Sequence, residues 1–310
     1  MDIKLSIIVP VYGVEKYILE FAQSLICQLN SNVELIVVND GTKDKSINIF
    51  KNYVQKKIKE IDNIVWLEQE NQGQSVARNY GISVAQGKYI TFLDPDDMVE
   101  NNYVYEILKA IELEPEIIHF NAKVYLQIDN NLEYMKDLKL VEDNNLFFST
   151  EKDIIELYDK KIWFSWLRVV KKDFISINMF QPNIIFEDIL AFSKIYRKIK
   201  KIKNIDQKLV KYRVHSKNSI NDKDKALRSI DLILNEYHLN ESDCNNLIYK
   251  QFIDLKINYK VRRDGIFLTL YFLVFGIFLN SKSLYFFNFE FLKNKVFDIF
   301  VLVFNYLMKK

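Results

Sequence analysis

The chain has 310 residues, 49% of them hydrophobic, so it can bury a substantial core and does not have the composition of a disordered protein. Its 43 basic and 41 acidic residues leave a formal charge of +2, which gives no indication of a nucleic-acid partner. The only two cysteines, Cys27 and Cys244, exclude a disulfide framework and a thiolate metal site. The N-terminal sequence lacks a signal-peptide pattern, so we expect a cytoplasmic protein.

The first 125 residues alternate between strand and helix patterns. Four apolar, β-branched segments predict strands: LSIIVP (5–10), VELIVVND (33–40), NIVWLEQ (63–69) and KYITFLD (88–94). Helical patterns at 15–29, 43–60 and 74–85 separate them. Strands joined in this way predict an α/β fold with a mostly parallel sheet flanked by helices. Ligands of such sheets bind at the carboxyl ends of the strands.

The rest of the chain changes character twice. A helix at 102–113 and a strand at 116–127 are followed by a polar hairpin or loop at 129–145. The middle third mixes helix and short strand, and we assign it to the acceptor side of the same domain. The lysine-rich KIYRKIKKIK (194–203) is interpreted as a solvated helix face or as part of a membrane-facing surface.

The first candidate ligand group lies where the first two predicted strands end. Asp40 follows the second strand within NDGT, and its carboxylate can accept a hydrogen bond from the N3–H of uracil. Pro10, Val11 and Tyr12 follow the adjacent strand and can offer a backbone edge and an aromatic face. The alternative is a turn in which Asp40 or Thr42 caps the next helix.

The NQGQSVARNYG segment predicts an anion site. Gly73 precedes a helix whose free amides and positive dipole end point toward the strand ends. Arg78 lies about one turn inside that helix, and its guanidinium suits a diphosphate. The alternative for Arg78 is a solvated arginine on an amphipathic helix.

Three aspartates follow the fourth predicted strand, within FLDPDD. Two carboxylates so close together repel each other unless a cation lies beside them, and oxygen ligands favour Mg²⁺ or Mn²⁺. Asp94 and Asp96 suit a divalent cation and sugar hydroxyls, whereas Asp97 also fits an acidic cap on the next helix.

A second acidic pair is the candidate for the base of a displacement reaction. Glu187 and Asp188 begin an apolar-periodic helix in NIIFEDILAF. The alternative is a pair of acids that simply stabilise the helix dipole. Trp163 and Trp166 suit either an acceptor platform for sugar rings or the buried core.

Together, SIIVPVYG, VELIVVNDGTKDKS, ENQGQSVARNYGISVAQGKYITFLDPDD and the later FED resemble family 2 glycosyltransferases of the GT-A fold. These are inverting enzymes that use nucleotide sugars, and many build bacterial surface polysaccharides. The resemblance is strong over residues 3–125 and weaker over 160–220. The sequence departs from the family at Pro95, where serine or alanine is more usual, but the carboxylates keep their spacing.

The resemblance implies roles for the donor side of the site. Asp40 is expected to recognise the nucleobase, and Arg78 to lie near the nucleotide. Asp94 is expected to bind the ribose and Asp96 the metal, Mg²⁺ or Mn²⁺, with Asp97 as a support.

The resemblance also implies roles for later residues. Asp188 is expected to be the catalytic base, with Glu187 as its support. Some GT-A enzymes have a late histidine as a further metal ligand, and His215 in YRVHSKNSI is the candidate here; the alternative is a solvated histidine. Arg213 in the same segment is a second candidate for the diphosphate.

The expected organisation is a GT-A domain over 1–222, with a nucleotide-sugar half at 1–125 and an acceptor half at 126–222. A helical, aromatic-rich appendage is expected over 223–310. Its two apolar stretches, which are flanked by basic residues, suit peripheral contact with an anionic membrane. A helical cap or dimer interface is the alternative.

The expected function is inverting transfer of a hexose or N-acetylhexosamine from a UDP-sugar to a glycan or lipid-linked acceptor. The product would be a capsule, lipooligosaccharide or another surface polysaccharide, made at the inner face of the cytoplasmic membrane. One alternative is a catalytically silent sugar-binding or scaffold subunit. Another is a sugar nucleotidyltransferase, although PVYGVEKY lacks the required Gly- and Arg-rich loop. No G-x-G-x-x-G follows the first strand, which disfavours a NAD-dependent enzyme.

Overall fold

The computed structural model describes residues 2–57, 63–129, 131–215, 222–236, 252–256 and 258–259. The chain divides into two compact units, Met1–Asn221 and Asp222–Lys310. The functions expected of the predicted domain at 1–222 and of the appendage at 223–310 stay predictions.

Ten strands lie in the described part of the first unit. They are β1 Leu5–Val11, β2 Val33–Asn39, β3 Ile64–Glu68, β4 Tyr89–Phe92, β5 Met98–Val99, β6 Ile117–Ile128, β7 Asn131–Leu138, β8 Leu146–Phe148, β9 Arg168–Lys171 and β10 Lys201–Val214. The longer helices are α1 Ile18–Leu25, α2 Ser46–Lys57, α3 Gln74–Val84, α4 Tyr103–Ile111, α5 Glu151–Asp159, α6 Glu187–Tyr196 and, in the second unit, α7 Lys223–Glu236.

All ten strands join one sheet, in the order β3-β2-β1-β4-β9-β6-β10-β5, with β7 added to β6 and β8 to β10. The first four strands of this order are parallel: Ile8 of β1 lies opposite Ile36 of β2 and Phe92 of β4. Strand β9 is antiparallel to both β4 and β6, and it joins this parallel half to the rest. The carboxyl ends of β1, β2 and β4 therefore share one edge, as the sequence predicts.

The continuous apolar runs are explained by burial of the central strands on both faces. Every residue of β1 is buried. On one face, Phe21 of α1 meets Phe50 of α2 edge to face, and Phe50 meets Trp66 of β3 in the same way. Helices α1 and α2 are thereby anchored to the same face of the sheet.

The elements differ from the predicted ones in two places. Helix α1 begins at Ile18, three residues later than expected, because the chain forms a turn after Gly13, which has φ of +69°. The interpretation of residues 194–203 as a solvated helix face is wrong: α6 ends at Tyr196 and β10 begins at Lys201. Backbone pairing of Ile202 with Ile117 draws this segment into the sheet. Of the two alternatives for residues 129–145, a hairpin or a loop, the hairpin is present: β7 at Asn131–Leu138 pairs antiparallel with β6.

The C-terminal region is described only in part. Helix α7 and the helical residues 252–256 and 258–259 agree with a helical appendage. The two apolar stretches expected to contact a membrane, 266–279 and 297–308, lie outside the described residues. Among the helices that are described, none has the length and apolar character needed to cross a membrane.

Candidate active site

The side chains of the three aspartates after β4 contact different partners. The amide of Asp97 donates to the carbonyl of Asp94 at 3.1 Å, which closes a tight turn. Asp94 pairs with Arg78, Asp96 contacts His215, and Asp97 accepts the backbone amide of Arg213 at 2.7 Å. The cluster seen in the sequence is therefore divided between two parts of the site.

Arg78 is the centre of the first part. Its terminal nitrogens lie 2.8 Å from Asp94 Oδ1, 2.8 Å from Glu187 Oε1 and 3.6 Å from Asp188 Oδ1. Only 2% of its side chain is exposed. One guanidinium on α3 thus joins the loop after β4 to the first turn of α6. Both terminal nitrogens are occupied by carboxylates, and the expected role of Arg78 at a diphosphate stays a prediction.

Asp188 is a partly exposed carboxylate with a raised pKa. Burial, together with the charges of Glu187 and Asp94, raises its pKa to about 7, although Arg78 and the amide of Ser165 act in the opposite direction. Its side chain keeps 17% of its surface exposed, whereas Glu187 keeps 4%. A carboxylate with this pKa is partly deprotonated near neutral pH and can then accept a proton.

Two residues that sequence reasoning missed hold this acidic pair. Gln74 Nε2 donates to Glu187 Oε1 at 2.6 Å, and the amide of Ser165 donates to Asp188 Oδ2 at 3.1 Å. Gln74 precedes Arg78 by four residues, so both lie on the same face of α3, and this spacing was a usable signal. Ser165 is distant from Asp188 in sequence and carried no such signal.

Asp40 is buried and holds a neighbouring loop. Its two oxygens accept from Gln69 Nε2 at 2.8 Å, from the amide of Gln72 at 2.8 Å and from the amide of Gly73 at 2.9 Å. It thereby fixes the segment that leads into α3. The predicted alternative, a cap on the next helix, is wrong for Asp40, because Asp44 accepts from the amide of Ser46 at the start of α2. Recognition of a base by Asp40 stays a prediction.

The predicted edge on β1 lies beside Asp40. The amide of Asp40 donates to the carbonyl of Val11 at 3.0 Å. Pro10 and Val11 are buried in β1, whereas Tyr12 is 50% exposed just beyond it. The ring of Tyr12 is thus the accessible aromatic group at this strand end. Asn39, which pairs with Val11 in the sheet, is a further polar residue here that the sequence analysis did not select.

Asp96 and His215 form the second part of the site. Asp96 Oδ2 lies 3.0 Å from His215 Nε2. Two adjacent ligands of an octahedral cation with bonds of about 2.1 Å also lie about 3.0 Å apart, so the separation of the pair is compatible with such an ion as well as with a hydrogen bond. In the described part of the chain, no group of three or more His, Cys, Asp or Glu residues is arranged to hold a metal. Mg²⁺ commonly needs only one or two protein ligands beside substrate phosphates and water.

Several candidate residues lie inside the protein. Trp163 and Trp166 are 5% and 2% exposed, so they belong to the core rather than to an open acceptor platform. Arg213 is 2% exposed, and its Nε donates to the carbonyl of Asp96 at 2.8 Å. Its expected contact with a diphosphate stays a prediction. Asp97 is 4% exposed, and burial with the charges of Asp96 and Asp94 raises its pKa well above the usual range.

Similar curated proteins include two glycosyltransferases and a teichoic acid biosynthesis protein. Glycosyltransferase GlyA of Streptococcus pneumoniae serotype 4 is 33% identical over 69% of this chain and 31% of GlyA. The minor teichoic acid biosynthesis protein GgaB of Bacillus subtilis is 44% identical over 34% of this chain and 12% of GgaB. The uncharacterized glycosyltransferase EpsJ of Bacillus subtilis is 29% identical over 67% of this chain and 60% of EpsJ. The chain spans less than two thirds of each of these relatives.

Solved structures share the fold, and a family profile covers the region that holds most of the site. S. aureus TarS 1–349 in complex with UDP-GlcNAc has a TM-score of 0.62 and 18% identity over 86% of this chain and 76% of that one. This likeness confirms the predicted GT-A fold class. The profile of glycosyl transferase family 2 matches residues 6–174, more than half of the chain. The chain therefore belongs to glycosyl transferase family 2.

Proposed function

We propose that the protein transfers a hexose or N-acetylhexosamine from a UDP-sugar, with inversion, to a glycan or lipid-linked acceptor. One observation carries the proposal: Asp188 is a partly exposed carboxylate with a pKa of about 7, and Arg78 joins it to Asp94 at the end of β4. A base suited to deprotonating a hydroxyl is thereby fixed beside the strand ends where a nucleotide-sugar would bind.

The reaction can be written from the residues that line the site. Asp188 takes the proton of the acceptor hydroxyl, and the oxygen of that hydroxyl forms a bond to the anomeric carbon. The bond between that carbon and the diphosphate oxygen breaks, so UDP leaves from the opposite face and the configuration inverts. Arg78 and Gln74 hold Glu187 beside Asp188, and Glu187 thereby helps to keep Asp188 in place for this transfer.

Asp96 and His215 would hold a divalent cation, Mg²⁺ or Mn²⁺. When bound, the cation would stabilise the negative charge that develops on the departing diphosphate. Asp94, whose side chain is 27% exposed, remains available for the ribose. The ion pair with Arg78 fixes the position of the Asp94 carboxylate.

The relatives support a role in a surface polymer. GgaB is named for teichoic acid biosynthesis, and TarS was crystallised with UDP-GlcNAc, so a UDP-sugar donor and a polysaccharide or teichoic acid product are the starting hypotheses. A capsule or lipooligosaccharide is a further candidate product. We place the reaction at the inner face of the cytoplasmic membrane, with residues 260–310 as the region of peripheral contact.

The test is UDP release from a panel of UDP-sugars, with Mn²⁺ or with EDTA. We expect one donor to be turned over only with Mn²⁺, and Asp188→Asn to reduce turnover by 10²-fold or more, on the order of a lost general base. Asp173→Asn, at an exposed residue after β9, is the matched control and keeps wild-type turnover.

Two other outcomes would contradict the proposal. Donor binding by calorimetry without turnover, with glycan and lipid-linked acceptors supplied, would indicate a silent sugar-binding subunit. Release of pyrophosphate from a sugar phosphate and UTP would indicate a nucleotidyltransferase.

A further inference from the structure

The end of β10 is tied to the start of α1 by a network around Arg213. Its terminal nitrogens donate to Glu20 on α1 and to Gln127 on β6, and its amide and Nε bind Asp97 and Asp96. The guanidinium is thus connected to three segments of the chain. Arg213 therefore fixes the turn that carries Asp96.

Tyr17 contacts both Arg213 and His215. The centre of its ring lies 4.9 Å from Arg213 Cζ and 4.8 Å from the centre of the His215 ring, with 22° between the two ring planes. Tyr17 is the residue that precedes α1, and Glu20 lies three residues later on the same side of the helix. One face of the start of α1 therefore contacts the end of β10 through an aromatic ring and a carboxylate.

The stack has a direct consequence for the imidazole. A ring stacked on Tyr17 cannot turn freely, and Nε2 of His215 is thereby kept 3.0 Å from Asp96 Oδ2. Ligands that are ordered before an ion arrives lose less conformational freedom when they bind it. The aromatic ring of Tyr17, rather than its hydroxyl, makes these contacts.

We propose that Tyr17 is a positioning residue that holds His215 beside Asp96 and so preorganises the pair of side chains for a divalent cation. This proposal rests on the cation site of the proposed function. It adds a requirement that the cation site alone does not impose: an aromatic ring at residue 17.

The test measures binding of Mn²⁺ rather than turnover. Free Mn²⁺ is followed by electron paramagnetic resonance with the full chain and saturating UDP. We expect Tyr17→Leu to weaken Mn²⁺ affinity about three- to tenfold, the range expected when an aromatic stack is lost, and Tyr17→Phe to retain the wild-type affinity. Leu19→Ala, at an exposed residue of the same helix, is the control for damage to α1 and keeps the wild-type affinity.

A double-mutant comparison separates positioning from general damage. In a chain that carries His215→Ala, adding Tyr17→Leu should cause no further loss of Mn²⁺ affinity, because the proposal assigns the effect of the ring to the imidazole. A further loss would show that the ring acts on the Asp96 turn through Arg213 instead, and it would overturn the proposal. Should Tyr17→Leu not fold, Tyr17→Met provides the same comparison.

Three other results would overturn the proposal. Wild-type Mn²⁺ affinity in Tyr17→Leu would show that the ring is not needed. Equal losses in Tyr17→Phe and Tyr17→Leu would show that stacking is not the cause. Wild-type Mn²⁺ affinity in both Asp96→Ala and His215→Ala would show that these residues do not form a cation site, which would also contradict this part of the proposed function. The assignment of Asp188 as the base is tested separately, by UDP release.

Discussion

Exposure separates the acids of the site into two groups. The side chains of Asp94, Asp96 and Asp188 keep 27%, 21% and 17% of their surface exposed. Glu187 and Asp40 are almost fully buried, and each accepts hydrogen bonds from groups of the protein. The first group can touch a substrate or an ion. Within the second group, Glu187 is linked to Asp94 and Asp188 through Arg78, and Asp40 holds the segment that leads into α3.

The pH dependence of turnover should report Asp188. Only its deprotonated form can accept a proton, and its pKa is raised to about 7, so kcat/KM should fall about tenfold per pH unit below 7 and level off above it. The charge of Glu187 raises this pKa. Glu187→Gln should therefore move the acidic limb to lower pH, and a limb that stays unchanged, or lies near pH 4 in the wild type, would contradict this assignment.

Replacement of Arg78 should reduce stability far more than replacement of an exposed cation. Arg78→Gln leaves Asp94 and Glu187 without their buried partner, and we expect a loss of roughly 3–5 kcal/mol in the free energy of unfolding. Lys4→Gln removes an exposed pair with Glu112 and should cost less than about 1 kcal/mol. Urea unfolding of the two variants measures the difference; similar losses would show that the guanidinium is not a structural centre.

At the scale of elements, the start of α6 shows how a backbone position supports chemistry. Phe186, the residue before the helix, has φ of +74°, a left-handed conformation that costs a residue with a side chain roughly 1–2 kcal/mol. The next two residues are Glu187 and Asp188. Their contacts with Arg78, Gln74 and the amide of Ser165 help to hold this conformation.

The loop between β2 and α2 offers a test of close packing beside Asp40. Gly41 has φ of +65°, and a Cβ there would lie 2.8 Å from the amide nitrogen of Asn71. Gly13 has a similar φ of +69° but no atom within 4 Å of that position. Gly13→Ala should therefore cost about 1 kcal/mol and Gly41→Ala roughly 2–4 kcal/mol, because the second also forces two loops apart.

Thermal or urea unfolding compares the two glycine variants directly. Equal losses would mean that the loops move apart without cost. A greater loss in Gly13→Ala would contradict the packing argument altogether.

At the scale of the whole molecule, the sheet brings the two halves of the first unit together. The aspartates directly follow β4, which belongs to the parallel half of the sheet. Strand β9 pairs with both β4 and β6, and β6 pairs with β10, at whose end Arg213 and His215 lie. The candidate site residues lie before residue 216.

Vesicle binding tests the expectation for the C-terminal region. A chain that ends at Tyr259 lacks both apolar stretches and their basic flanks, so we expect it to lose sedimentation with anionic vesicles while its UDP affinity stays within about threefold. Neutral vesicles are the control for charge. Equal sedimentation of the shortened and full-length chains would contradict membrane contact through this region.

Much of the fold is encoded locally. The strands β1 to β4 and their helices could be predicted because burial on both faces requires continuous apolar runs, and the polar residues after the strands identify the edge where a ligand binds. The segment 194–203 was misread because a short alternation of lysine and isoleucine suits either a helix face or a strand, and only pairing with β6 decides between them.

The sequence by itself determined the fold class, the family and the set of candidate acids, because each depends on motifs whose residues are close together in the chain. Only the tertiary structure decided how those acids are used. Arg78 meets Glu187 across 109 positions of sequence, and His215 meets Asp96 across 119. Burial, charge pairing and the resulting pKa of Asp188 depend on such distant contacts, and no local pattern contains them.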